Sequence, residues 1–255
     1  MAHASATLSF ARGARGHLKT SSVPEAFTGV KLPDLERIAG KLEARGVECA
    51  ITKMSHAGEA AYVLHAKQAF DPAAAEAELQ SIQFPTQDLS RGSVVNLKKR
   101  LNAQVADYSQ EADLMARTQK VVHWDSLPAC RAIRDSLKEL THEPVLNCDI
   151  VVYPGEKCGI GWHGDRERAL IAGVRLGRKT GAFPLKFCFF HDWAPVSQVW
   201  TFEFQPGDLY VPCAKATGFD AGRPSVVSLK HAAGGAEVER DLESKKRKRE
   251  AKKRA

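Results

Sequence analysis

Apolar residues recur along this chain in two rhythms: steps of three and four in its first 140 positions, alternation in twos beyond. After a stretch rich in Arg, Ser and Thr, Pro33-Asp34 opens an amphipathic helix carrying Leu35, Ile38 and Leu42, which Gly46 stops. Cys49–Lys53 and Ala60–Ala66 have the spacing of two strands joined by a turn at His56-Ala57-Gly58. Asp71-Pro72 caps a second helix, Ala73–Ile82, with Leu79 and Ile82 on one side and Pro85 closing it. Gln87–Gln119 is polar and low in aromatics, which predicts a long loop with a little helix. Leu127, Cys130, Ile133, Leu137 and Leu140 mark a third helix over Leu127–Leu140. Short β-rich runs then follow: 150–153, 160–163, 170–176, 185–190, 199–204, 208–211 and 225–232. Strands this short, separated by Pro and Gly at about ten-residue intervals, predict a sandwich or jelly roll buttressed by the upstream helices.

This gives an α+β fold in four parts. Residues 1–28 are expected to be disordered, 29–86 to form a small accessory α+β lobe, 87–236 the main β domain, and 237–255 a disordered basic tail. Charge supports the last division. The formal net charge is +7, yet Ser244–Ala255 alone holds eight Lys/Arg and one Glu, so the remaining body is neutral. The basic feature is therefore a tail, with Lys245-Lys246-Arg247-Lys248-Arg249 and Lys252-Lys253-Arg254 fitting a nuclear signal or a nucleic-acid arm. A nuclear location is expected from it, with cytoplasmic or organellar as the alternatives, the latter because 1–28 contains one acidic residue, Glu25, among its Arg and Lys. Six scattered cysteines without a C-x-x-C pair predict reduced thiols and no disulfide-linked partner. No apolar run approaches the roughly 18 residues of a membrane helix, and a soluble protein without a membrane partner is expected.

Candidate chemistry centres on Ile160-Gly161-Trp162-His163-Gly164-Asp165. A His and an Asp two positions apart on extended backbone project from one face, so both can reach a single cation. A second His from a later strand would complete a 2-His-1-carboxylate set, the arrangement that leaves positions open on Fe(II). Alone, the pair is common, and its ordinary reading is a surface turn in which the two side chains bond to each other.

Tyr153-Pro154-Gly155-Glu156, Val174-Arg175-Leu176-Gly177, Phe187–Phe190, Pro206–Val211 and Ser225–His231 follow this pair or precede it in an order that resembles the AlkB-like family of 2-oxoglutarate- and Fe(II)-dependent dioxygenases, over roughly Leu127–Gly234. The resemblance implies a jelly-roll (double-stranded β-helix) core, Fe(II), 2-oxoglutarate and O2, and oxidation of alkylated nucleobases in DNA or RNA, as in demethylating DNA repair. It assigns His163 and Asp165 as metal ligands and Tyr153 as a hydrogen-bond partner of 2-oxoglutarate. Val151 stands where the family has Asn, with Asn147 or Asp149 as substitutes. The family's distal His would fall near Thr217–Asp220, where this chain has none. His231 is then the third ligand, against a site of two ligands or one completed by Asp220; His191 lies at a strand end. The family's two late Arg correspond to Pro224 and Lys230, with Arg223 one step off. Lys230 is a candidate for the distal carboxylate of 2-oxoglutarate, and Arg175, flanked by Gly173 and Gly177, is another because a buried carboxylate needs a cation. Glu167 and Trp162 are candidates to meet the base, with Phe190 and Trp193 as further aromatic surfaces. Two other readings stay open: the same fold acting on a protein or small molecule, and a catalytically degenerate jelly roll that binds nucleic acid or serves as a scaffold.

Overall fold

The first element, strand β1 (Ser5–Ala11), lies in the middle of a sheet. Helix α1 (Leu32–Glu43), the hairpin β2 (Cys49–His56) and β3 (Glu59–Ala66), and helix α2 (Ala73–Ser81) follow. A separate hairpin, β4 (Gln87–Ser90) and β5 (Ser93–Asn96), leads to β6 (Leu101–Ala106), β7 (Val121–His123) and helix α3 (Pro128–Thr141). The rest is mostly β: β8 (Asn147–Tyr153), β9 (Gly159–His163), β10 (Ile171–Leu176), β11 (Leu185–His191), β12 (Ala194–Pro195), β13 (Trp200–Phe202) and β14 (Leu209–Pro212). Helix α4 (Ala214–Thr217), β15 (Ser228–Gly234) and helix α5 (Ala236–Arg254) end it. This computed structural model describes residues 5–11, 29–90, 93–97, 99–116, 118–155, 158–165, 168, 170–177, 183–221 and 225–254.

Two sheets carry the fold, which is mixed α+β and dominated by strands. The large one runs β2-β3-β14-β10-β1-β8-β6-β7, and the small one β12-β11-β15-β9 with β13 also on β11. Their pairings nest. β11 pairs with β13, β10 with β14, β9 with β15 and β8 with β1, all antiparallel. One face of the large sheet packs on the helices, where Leu8, Phe10, Ile150 and Val152 join Leu35, Leu42, Ile133 and Leu137 in one core. The other face turns toward the small sheet, and the space between them contains the cavity described below.

Four regions differ from the sequence expectation. Residues 5–11, assigned to a disordered segment, form a central strand: Leu8 pairs with Val174 on one side and Ile150 on the other. Ser, Thr and Ser alternate there with Ala, Leu and Phe, so small hydroxyls face the cavity and Leu8 and Phe10 are fully buried in the core. Residues 12–28 of that segment lie outside the described residues. Residues 29–86 are not a separate lobe, because β3 pairs with β14 and so extends the large sheet. Residues 87–119, expected as loop with a little helix, supply a hairpin and β6; Ala103 and Val105 of β6 are buried while Asn102 and Gln104 alternate with them, a period of two diluted by polar neighbours.

The tail is helical rather than disordered. Val238 and Leu242, four residues apart, are buried, Trp162 donates its indole N–H to the Val238 carbonyl at 3.1 Å, and Lys186 pairs with Glu239. Those contacts anchor its first two turns to the outer face of the small sheet, and the strong helix formers Glu, Lys, Arg and Ala carry it onward. No described helix is long and apolar enough to cross a membrane. The six cysteines are free thiols.

Candidate metal centre

His163 is the last residue of β9, and His231 lies directly opposite it on β15. Facing residues of an antiparallel pair hold their side chains close on one face, and the two ring centroids are 4.3 Å apart. Asp165 follows in the turn. Its backbone N–H donates to the Thr217 carbonyl at 2.8 Å. The intervening Gly164 is required for this approach, since a Cβ there would sit 2.5 Å from that of Ala221 and 2.6 Å from the Gly218 carbonyl oxygen. The Asp165 carboxylate lies between the two imidazoles, Oδ1 at 3.6 Å from His163 Nε2 and Oδ2 at 3.6 Å from His231 Nε2. One ligand atom from each of the three lies within 4.8 Å of the others, which is close enough to hold a metal ion. His231 is the residue that groups with His163 and Asp165, while Asp220 is engaged elsewhere, accepting from Lys215 Nζ at 2.6 Å. His191 pairs with Asp192 at 3.5 Å, away from the group.

The protonation states suit a cation. His163 Nδ1–H donates to the Gly161 carbonyl at 2.7 Å, which fixes the tautomer and leaves the Nε2 lone pair for a metal. Burial, reinforced by the charge of His231, pushes the His163 pKa down to about 4 against the pull of Asp165. For Asp165 burial favours the neutral acid, but the adjacent imidazole of His231, with Arg168 and His163, outweighs it and holds the carboxyl below its ordinary range. Two imidazole nitrogens and one carboxylate oxygen on one side of an open space form a donor set suited to a divalent transition metal.

That space is a cavity of about 520 Å³ between the sheets, within the range of small-ligand pockets, roughly 300–1,000 Å³. Arg175 stands in its wall, buried, in mid-β10. Its Nη1 donates to Ser5 Oγ at 3.0 Å and Thr7 Oγ1 at 3.2 Å, its Nη2 donates to the Phe183 carbonyl, and its Nε has no partner. Burial pulls its pKa down, opposed by the nearby Tyr210, Tyr153 and Asp208. A buried guanidinium held by hydroxyls and a carbonyl is an incompletely compensated charge, and a ligand carboxylate would complete it. A buried phenol, Tyr153, and a partly buried one, Tyr210, flank the place. Tyr153 stacks on Phe183 with centroids 4.9 Å apart, and the Tyr210 ring lies across Gly173, where any Cβ would meet its Cζ at 2.0 Å. Burial raises both phenol pKa values, Tyr210 to about 12.

The structure thus brings His163, Asp165, His231, Tyr153 and Arg175 to one cavity. It does not bring Lys230. Adjacent strand residues face opposite ways, so with His231 inward Lys230 points outward, its Nζ 4.8 Å from the Phe190 ring centre and 4.7 Å from that of Trp193. Trp162 borders the cavity beside His163, but its indole is committed to α5 and packs near Phe190, so it is not presented as a stacking surface. Glu167, Arg223 and Pro224 lie outside the described residues. Asp149 pairs with Arg168. Sequence reasoning missed Ser5, Thr7, Tyr210 and Asn102. The last is in register with Val151, supplying an amide beside the position where one was found wanting. The only available signal for Ser5 and Thr7 was the polar/apolar alternation of residues 5–10.

No protein-family model matches the chain. It is 29% identical over 158 residues to an uncharacterized protein of Acanthamoeba polyphaga mimivirus, a match covering 62% of this chain and 61% of that protein. The matched part therefore spans less than two thirds of either length.

Proposed function

We propose that this protein is an Fe(II)- and 2-oxoglutarate-dependent dioxygenase that oxidises, and thereby demethylates, alkylated nucleobases. One observation carries the reading: a 2-His-1-carboxylate group, His163, Asp165 and His231, shares a cavity with a buried arginine, Arg175, that has no carboxylate partner among the described residues. The nested strand pairs support a jelly roll, which joins its strands first to last, second to seventh, third to sixth and fourth to fifth. In that scheme β8 is the first strand and β1, from far upstream, fills the place of the last.

His163 and His231 would hold the metal through Nε2 and Asp165 through a carboxylate oxygen, and Arg175 would pair with the distal carboxylate of 2-oxoglutarate. Iron with 2-oxoglutarate and O2 supplies oxidation of a substrate C–H bond, the co-substrate leaving as succinate and carbon dioxide. The protein's own work is placement. The Gly161 carbonyl orients His163, Thr7 and Ser5 orient Arg175, and Val151, Ile160 and Phe187 line the cavity with apolar surface that excludes water. Tyr153 and Tyr210 remain protonated and can donate to an anion between them. A base must leave its stack to enter such a cavity, so single-stranded or flipped substrate is implied. The basic run of α5 suits a polyanion and a nuclear location.

Purified protein given Fe(II), 2-oxoglutarate and O2 should release succinate, and N-methylated oligonucleotides should stimulate release and yield formaldehyde. Succinate without oligonucleotide turnover would move the substrate to another class. Failure to bind Fe(II) would leave the fold without this chemistry.

A further inference from the structure

Two cavities meet on the inner face of β6. The larger contains the metal group; a smaller one of about 70 Å³ opens beside it, walled by Pro85, Leu97, Leu114 and Gln119, and Arg100 and Asn102 line both. Alternation places Asn102 and Gln104 on one face of β6, and Arg100, just before the strand, lines the same two cavities as Asn102. Gln104 is occupied, its amide donating to Gln119 Oε1 at 2.8 Å. Arg100 is not. Among the described residues no carboxylate and no hydrogen bond engages its half-buried guanidinium, whereas Lys120 pairs with Glu111 and Arg168 with Asp149. The neighbouring Lys99 carbonyl accepts from Gly159 N–H at 3.3 Å, so Arg100 stands where the large sheet meets the start of the metal-bearing strand β9. Its charge reaches both His163 and Tyr153.

Resting on the dioxygenase reading above, we infer that Arg100 anchors a phosphate of a single-stranded nucleic-acid substrate at the junction of the two cavities, with Asn102 beside it as a second polar contact. The co-substrate already has its own cation in Arg175 at the closed end, which leaves Arg100 for the substrate. A guanidinium presents paired N–H groups that match two phosphate oxygens, and a half-buried one gives more than a solvated surface charge would.

The test is binding of a single-stranded N-methylated oligonucleotide to the full chain across a salt series, for the parent, R100Q and R100K, with 2-oxoglutarate and the free methylated nucleoside as separate ligands. R100Q should weaken oligonucleotide binding by about tenfold and reduce the slope of log affinity against log salt by about 0.7, the contribution of one single-strand phosphate. R100K should keep the slope and recover part of the affinity, and the two small ligands should bind all three proteins alike. Loss of 2-oxoglutarate affinity in R100Q would instead assign Arg100 to the co-substrate. An unchanged slope in R100Q, or a parent that binds no oligonucleotide, would also overturn the inference. If R100Q fails to fold, R100K decides: weaker nucleoside binding with unchanged oligonucleotide binding refutes it. Fe(II) binding and succinate release report on the dioxygenase reading independently of all these outcomes.

Discussion

The two sheets are unequal partners in one site. The large sheet is covered on one face by α1, α2 and α3 and holds its cation, Arg175, in the middle of a buried strand; the small sheet is backed chiefly by the first turns of α5 and presents its metal ligands near the mouth. Every residue of β10 is buried, whereas β9 is at most half-buried along its length. The buried guanidinium thus sits in the closed part of the cavity and the His-Asp-His group in its more accessible part, an arrangement that suits the co-substrate and substrate of the proposed reaction.

The largest effect should come from the large sheet. Removing residues 1–11 takes away a central strand and the burial of Leu8 and Phe10, each worth about 1.5–3 kcal/mol, together with two sets of ladder hydrogen bonds. Against a total stability of about 5–15 kcal/mol, no cooperative unfolding transition should remain. Removing 244–255 instead spares Val238 and Leu242 and should shift the thermal midpoint by only a few degrees, roughly 1 kcal/mol or less. Equal damage from the two truncations, seen by calorimetry, would dissolve the contrast.

Next in size is His231→Ala. With one of three ligands gone, Fe(II) affinity should fall by at least about 100-fold, more than the 10–100-fold typical of supporting groups, while circular dichroism stays native. Arg175→Lys separates the two ends of the cavity. A point charge replaces a fork held by Ser5 and Thr7, so 2-oxoglutarate affinity should drop by about 10–100-fold with metal affinity unchanged. Calorimetric titration that found both affinities lowered equally would show one coupled site rather than two.

The smallest effect is with pH. Because the folded state favours neutral His163, whose pKa is pushed down to about 4 from an ordinary 6.5, its contribution to metal-free stability is intact above pH 6.5 and drains as pH falls toward 4. Asp165, held below the ordinary carboxylate range, loses its contribution only at still lower pH. The thermal midpoint of the metal-free protein should therefore decline across pH 6.5–4, and His163→Gln should flatten that decline. An identical decline in both proteins would place the acid sensitivity elsewhere.

Much of the metal end was legible in the linear sequence because it rests on local spacing. His163 and Asp165 are two residues apart, and of the two histidines after Asp165, His191 and His231, the latter lay within a predicted strand. The anion end was half legible: Arg175 stood out between glycines, but its hydroxyl partners come from a strand separated from it by most of the fold. Long-range pairing leaves no local trace, and the Arg- and Ser-rich segment that follows β1 drew 5–11 into a disordered assignment. Lys230 failed for a different reason. A one-residue step along a strand reverses the face, so a homologous-looking position was worth nothing once His231 pointed inward. The tail misled through composition, since a charged run describes a solvated surface whether it is coil or helix.

The position of β1 also bears on synthesis. Ala11 lies against Asn147 and Ser5 against Tyr153, partners that leave the ribosome roughly 140 residues after β1 does, a wait of about 7–30 seconds at 5–20 residues per second. During that interval a segment carrying Leu8 and Phe10 has both edges unsatisfied, the condition under which strands recruit wrong neighbours. The long separation in sequence between β1 and both of its neighbours therefore makes this strand one of the last to find its place as the chain is synthesised.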